Sequence, residues 1–172
     1  MFSKILKRII YRTNPKKISY LRKIGVNIGD NCSIYNSLDD YSTEPYLITI
    51  GNDVTITSGV KLLTHDGGMR VLIKKGLIEK ADKFGKIAIG SNVFIGLNSI
   101  IMPNVTIGDN VVVGAGSIVT KSLESNGVYA GNPAKYICSI EDYYEKNKDK
   151  VLFTRGLSPE QKKEIIIKEL EN

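Results

Sequence analysis

The sequence holds a single imidazole. Its 172 residues include one histidine, His65, two cysteines, Cys32 and Cys138, and no tryptophan. A neutral imidazole is the side chain best suited to take a proton from a weak nucleophile near neutral pH, a contribution of roughly 10²–10⁴-fold in rate. One histidine and two distant cysteines cannot assemble a zinc site of the usual kind, so no metal is expected. The cysteines lack ligand spacing and are too few for a disulfide framework. With no histidine near them in sequence, neither reads as a nucleophile. Whatever orients the His65 ring must come from Asp66, a backbone carbonyl, or a carboxylate such as Asp39 or Asp40. Asn36, Asp39 and Asp40 could pair with polar groups of a ligand, or could cap an irregular turn, where Asn and Asp are common.

The element that positions these groups is a repeat of six. Aliphatic residues recur at Ile89, Ile95, Ile101, Ile107, Val113 and Val119. Small or β-branched residues follow four places later at Val93, Ser99, Val105, Val111 and Ser117, with Leu123 ending the series. The register also appears at Ile50, Ile56 and Leu62, and more faintly at Ile28 and Ile34, where Cys32 takes a small inward position and is expected in the core. A helix needs apolar spacing of three and four, and a half-buried strand needs two. A sustained six, with Gly, Asn or Asp between, reads as short strand, corner, short strand. That period is a signature of a parallel β-helix. With three hexads per coil, Ile107 stacks over Ile89, Val113 over Ile95 and Val119 over Ile101, all inside.

The expected architecture is all-β. A repeat body over residues 24–137 lies between an N-terminal helical segment, 1–23, and a C-terminal helical tail, 138–172. Two segments break the register. A long loop leaves near residue 66 and rejoins near 86, and long loops in compact domains are usually functional. A second break runs from Tyr35 to Tyr46. Gly131 to Lys135 is expected as a turn or extended segment. Ser158-Pro159-Glu160-Gln161 forms a capping box that opens the last helix, whose Ile165, Ile166 and Leu170 are expected to pack on the coil.

Together, four features resemble the hexapeptide-repeat acyltransferases: the hexads, Thr64-His65-Asp66-Gly67-Gly68, the run from Val113-Gly114-Ala115-Gly116 to Thr120-Lys121, and Ala130-Gly131-Asn132-Pro133-Ala134-Lys135. The chain is most similar to the galactoside, maltose and capsular-polysaccharide sugar O-acetyltransferases. The resemblance implies a left-handed coil, which runs against the usual right-handed crossover rule. It also implies a homotrimer with active sites between subunits, and acetyl-CoA as co-substrate. His65 matches the catalytic histidine. Phe94 stands where some relatives carry tryptophan beside the pantetheine arm. Ala115, Thr120 and Lys121 match positions lining the coenzyme site, and Lys135 a basic residue near its phosphates. Cys138 stands where some relatives have a second basic residue. The implied activity is acetyl transfer to a sugar hydroxyl in surface polysaccharide or glycan biosynthesis, the acceptor being free, nucleotide-linked or lipid-linked. The alternatives are N-acetylation of a nucleotide-linked amino sugar and a non-catalytic β-helix scaffold. The γ-type carbonic anhydrases share the coil but need three histidines, and are excluded.

Lysine and arginine number 24 against 18 acidic residues, a net charge of +6. The basic residues are dispersed and not interleaved with aromatics, which argues against nucleic acid. Attraction of a polyanionic coenzyme accounts for them, with Lys74, Lys75, Lys80, Lys83 and Lys86 in the long loop as contributors. Phe2, Ile5, Leu6 and Ile9 have helical spacing with a basic opposite face. Such a helix could rest on an anionic membrane, but packing on the protein is the favoured reading. The sequence shows neither a signal-peptide core nor a membrane span. Cytoplasm is the expected compartment, and it suits free thiols.

Overall fold

The computed structural model describes residues 15–171. The chain enters through helix α1 (Pro15–Lys23) and then winds in successive coils. The first coil supplies β1 (Asn27–Ile28) and β2 (Ser33–Ile34). The second supplies β3 (Ile48–Ile50), β4 (Thr55–Ile56) and β5 (Lys61–Leu62). After the long insertion, which carries helix α2 (Met69–Lys74), come β6 (Ile87–Ile89), β7 (Val93–Ile95) and β8 (Ile100–Ile101). The next coil gives β9 (Val105–Ile107), β10 (Val111–Val113) and β11 (Ile118–Val119). Each strand pairs in parallel with its equivalent one coil away, giving three sheets, β1-β3-β6-β9, β2-β4-β7-β10 and β5-β8-β11. The fold is a parallel β-helix with three faces.

The register is the one the hexads dictate. Ile28, Ile50, Ile89 and Ile107 form one interior column. Ile34, Ile56, Ile95 and Val113 form the second, and Leu62, Ile101 and Val119 the third. None is more than 4% exposed, and burying each such side chain contributes about 1.5–3 kcal/mol. The stacks Ile50–Ile89 and Leu62–Ile101 hold across the insertion, which therefore loops out without disturbing the coil. Ser99 and Ser117 face inward and are fully buried, their hydroxyls both bonded to the Gly114 carbonyl.

The corners have their own chemistry. Asn92, Asn110 and Asn126 sit at φ 55°, 56° and 62°, a left-handed conformation that asparagine tolerates better than most residues. Their amides stack in a ladder, Asn92 Nδ2 to Asn110 Oδ1 and Asn110 Nδ2 to Asn126 Oδ1, both 2.8 Å. At Gly96 the coils come so close that a Cβ would lie 2.5 Å from the Ala115 backbone nitrogen.

The structure adds detail to two expectations and corrects one, the placing of Cys32 in the core. The segment around Gly131–Lys135 joins two strands, β12 (Gly127–Ala130) and β13 (Lys135–Ser139). They pair antiparallel and extend the second sheet beyond β10. Cys32 is only partly buried; its thiol donates to the Gly51 carbonyl at 3.2 Å, and it packs against the core's edge. The Tyr35–Tyr46 break contains two turns of 3₁₀ helix, Leu38–Tyr41 and Pro45–Leu47, and buries Tyr41 completely.

Residues 15–140 form one compact unit and residues 141–171 another. Two helices account for most of the second, α3 (Ile140–Asn147) and α4 (Pro159–Leu170). The α4 capping box forms, with Gln161 N donating to Ser158 Oγ at 3.2 Å and Ser158 N to Gln161 Oε1 at 3.0 Å. Ile165 and Ile166 are half-buried, whereas Leu170 is 79% exposed. The basic amphipathic stretch ahead of Pro15 lies outside the described residues. No helix among the described residues is long and apolar enough to cross a membrane.

Candidate active site

His65 lies where the coil gives way to the insertion. Beyond β5 the departing and returning strands of the loop close on each other. Gly85 N donates to the Thr64 carbonyl and Asp66 N to the Lys83 carbonyl, both at 2.8 Å, and His65 faces Phe84 across an antiparallel bridge. The histidine backbone is thus fixed at the neck of a closed loop. Its ring is 42% exposed and borders a groove of about 380 Å³ lined by Glu44, Arg70, Ile73, Asp82 and Phe84, among others.

The ring's partner is a residue the sequence did not single out. Glu44 Oε2 lies 3.0 Å from His65 Nδ1, with Ser42 Oγ at 3.2 Å and Thr43 Oγ1 at 3.3 Å. The Thr43 hydroxyl donates to Glu44 Oε1 at 2.5 Å, and the buried Thr64 hydroxyl donates to Oε2 at 2.8 Å. The Thr43 hydroxyl, then the Thr64 hydroxyl and the His65 ring, hold the Glu44 carboxyl below the usual carboxylate range.

Asp66 does not orient the ring. It accepts from Gly68 N at 2.9 Å and pairs with Lys83 at 3.4 Å; the Gly68 N–H and then Lys83 keep its carboxyl ionised below the usual range. One sequence signal pointed to Glu44. Ile34 stacks under Ile56, so the break that follows Ile34 must run beside β5, the strand that ends at His65. Two breaks at one corner of successive coils bring their polar residues together.

Two of the three acceptor candidates are engaged inside the protein. Asn36 is 1% exposed; its Nδ2 donates to the Val60 carbonyl at 3.0 Å and its Oδ1 accepts from the Tyr41 hydroxyl at 3.1 Å. Asp40, also buried, accepts from Ser37 N at 2.7 Å and pairs with Lys61 at 3.0 Å. Both are tied into the turn. Beside them the Lys17 ammonium, buried against the turn, donates to the carbonyls of Ile34 and Asn36, and burial lowers its pKa. Asp39 is exposed, on a separate hollow with Lys17, Tyr35 and Ser37.

The coenzyme candidates divide between faces. Thr120 and Lys121 are exposed and follow β11, which lies two strands above β5 in the third sheet. They therefore share His65's corner, about 10 Å along the axis at the usual strand spacing. Lys135, exposed, opens β13 at the end of the second sheet, next to Ala134, whose N–H donates to the Ile118 carbonyl of the third at 2.8 Å. Phe94, 44% exposed, projects from the second sheet beside Thr55 and Val112. Ala115 is exposed at the corner between the second and third sheets. Within one chain, His65 and Phe94 occupy different faces.

The model for the hexapeptide repeat of succinyl-transferase matches residues 86–121. Protein CapG of Staphylococcus aureus is 49% identical over 165 residues, 95% of this chain and 91% of that protein. Galactoside O-acetyltransferase of Escherichia coli K12 is 40% identical over 128 residues, 72% of this chain and 61% of that protein. The chain belongs to the hexapeptide-repeat acyltransferases. Membership makes it an enzyme and gives the β-helix its purpose, as a rigid support for an acyl-transfer site. The fold agrees. A maltose O-acetyltransferase from Clostridium difficile 630 superposes with a TM-score of 0.55 at 28% identity, covering 80% of this chain and 84% of that one.

Proposed function

We propose that this hexapeptide-repeat acyltransferase moves an acetyl group from acetyl-CoA to a sugar hydroxyl, with His65 Nε2 as general base. One observation carries the reading: among the described residues every polar contact of the His65 ring falls on Nδ1, which leaves Nε2 for a substrate in the groove. The hydroxyl gives its proton to Nε2 as its oxygen attacks the thioester carbonyl. Backbone N–H groups of the coil can hold the oxyanion. The intermediate collapses by breaking the C–S bond, and the imidazolium returns the proton to the departing CoA thiolate. The sugar names carried by the galactoside and maltose relatives support a hydroxyl acceptor. Phe84, beside His65 and 49% exposed, offers an aromatic face to a sugar ring, and Arg70 and Asp82 offer polar partners across the groove.

The coil takes the left-handed sense of the family. Phe94, Ala115, Thr120, Lys121 and Lys135 are assigned to acetyl-CoA. Their division between faces supports a homotrimer in which a neighbour completes each site. The acceptor belongs to a surface polysaccharide or glycan, acetylated in the cytoplasm. The test is a panel of hydroxyl and amino sugars, including galactosides and maltose, incubated with acetyl-CoA and read by CoA release and product mass. O-acetylated product is expected, and His65→Ala should lose at least about 100-fold in rate with the fold intact. Exclusive amine acetylation would move the reading to N-acetyl transfer. Full activity of His65→Ala would end the general-base assignment.

A further inference from the structure

We propose that Glu44 is the positioning residue of the base: it fixes the His65 ring with the proton on Nδ1 and the lone pair on Nε2, toward the groove. This inference rests on the catalytic reading of His65. An ionised carboxylate only accepts hydrogen bonds, so Glu44 Oε2 at 3.0 Å from Nδ1 requires the shared hydrogen to sit on the ring. Thr43 adds a second constraint. Its hydroxyl hydrogen is committed to Glu44 Oε1, so the same oxygen, 3.3 Å from Nδ1, can only accept from the ring. The carboxylate is itself held at both oxygens, by Thr43 on one and Thr64 on the other. It therefore cannot turn away from the ring without losing two further bonds.

The backbone shows what this arrangement costs. Ser42 has φ 60° and ψ −172°, a combination that is essentially glycine's own. Such conformations persist where their surroundings over-determine them, and they cluster at working sites. Here the strained residue stands directly before Thr43 and Glu44, and its hydroxyl accepts from Thr64 N at 3.4 Å. The bend at Ser42 turns the next two side chains onto the ring. A glycine at this position would reach the same turn freely; serine adds a hydroxyl 3.2 Å from Nδ1.

A chain with one histidine allows a direct test. In ¹⁵N-labelled protein, long-range proton–nitrogen correlation shows a single imidazole and reports which nitrogen carries the proton. The neutral wild-type ring is expected to be protonated on Nδ1 and bare on Nε2. Glu44→Gln should shift the ring toward the other tautomer. Arg70, Asp66, Asp82 and Lys83, the other charged groups facing this groove, are unchanged in the variant, so the movement reports Glu44. Turnover of an acceptor found active in the sugar panel should fall at least about tenfold. Thr43→Val, which frees the carboxylate without removing it, should show the same spectral trend in smaller degree. A wild-type ring protonated on Nε2, or a Glu44→Gln spectrum matching the wild type, would overturn the proposal. Retained activity in His65→Ala would instead remove the base role while leaving the tautomer assignment standing.

Discussion

Asn36 and Glu44 lie in the same register break, and their environments assign them opposite work. Asn36 has both ends of its amide engaged inside the protein, on the Val60 carbonyl and the Tyr41 hydroxyl. Asn36→Ala leaves both partners buried and unsatisfied, which should cost about 1–3 kcal/mol, read as a lowered urea midpoint. Glu44 instead holds a ring at a groove, and its pKa is depressed by the Thr43 hydroxyl first. A carboxyl with a depressed folded pKa binds fewer protons in the fold than in the unfolded chain, so its contribution is complete above its unfolded value and drains as pH falls through the folded one. Urea midpoints measured from neutrality down to about pH 3 should therefore fall less steeply in Glu44→Gln than in the wild type. An unchanged acid slope would mean that the carboxylate is not held as its contacts indicate.

At the scale of elements, the repeat explains what was legible and what was not. The interior columns, their 18-residue stacking and the place where the long loop leaves were all readable, because a period of six dictates which side chain points inward. Cys32 shows the limit of that rule: it occupies an inward register position in the first described coil, where no further coil among the described residues covers it. The breaks were readable as breaks but not as structure, since no period operates inside them. Neither the burial of Tyr41 nor the pairing of Glu44 with His65 follows from spacing alone. The antiparallel β12–β13 pair was missed because it no longer follows the hexads. Two substitutions separate these regimes. Ser42→Gly should be more stable than Ser42→Ala by about 1–3 kcal/mol, since both lose the hydroxyl and only alanine retains the backbone strain. In the coil the preference reverses: Gly96→Ala must push a Cβ against the Ala115 backbone 2.5 Å away. It should be among the most damaging single changes to thermal stability, because packed coils relax little.

At the scale of the molecule, residues proposed for one reaction lie on different faces. His65 stands at the open edge of the third sheet, whereas Phe94 projects from the second. A coil held rigid by three interior columns cannot fold one face onto the other. If both residues act on the same acetyl-CoA, a second copy of the chain must bring Phe94 to His65, as in a symmetric ring whose equivalent interfaces each build one site. For the proposed homotrimer the mass in solution should be three times the chain's 19.0 kDa. A mixing experiment tests the shared site more stringently. His65→Ala and Phe94→Glu should each be inactive alone. Co-expressed in equal amounts, they form mixed trimers in which some interfaces pair the intact His65 of one variant with the intact Phe94 of the other. Random assembly makes about a quarter of interfaces wild type at both positions, so about a quarter of wild-type activity should return. A site built within one chain returns none, because every chain then carries a defect. Zero recovery from mixed trimers shown to have formed would place Phe94 outside the site that His65 serves.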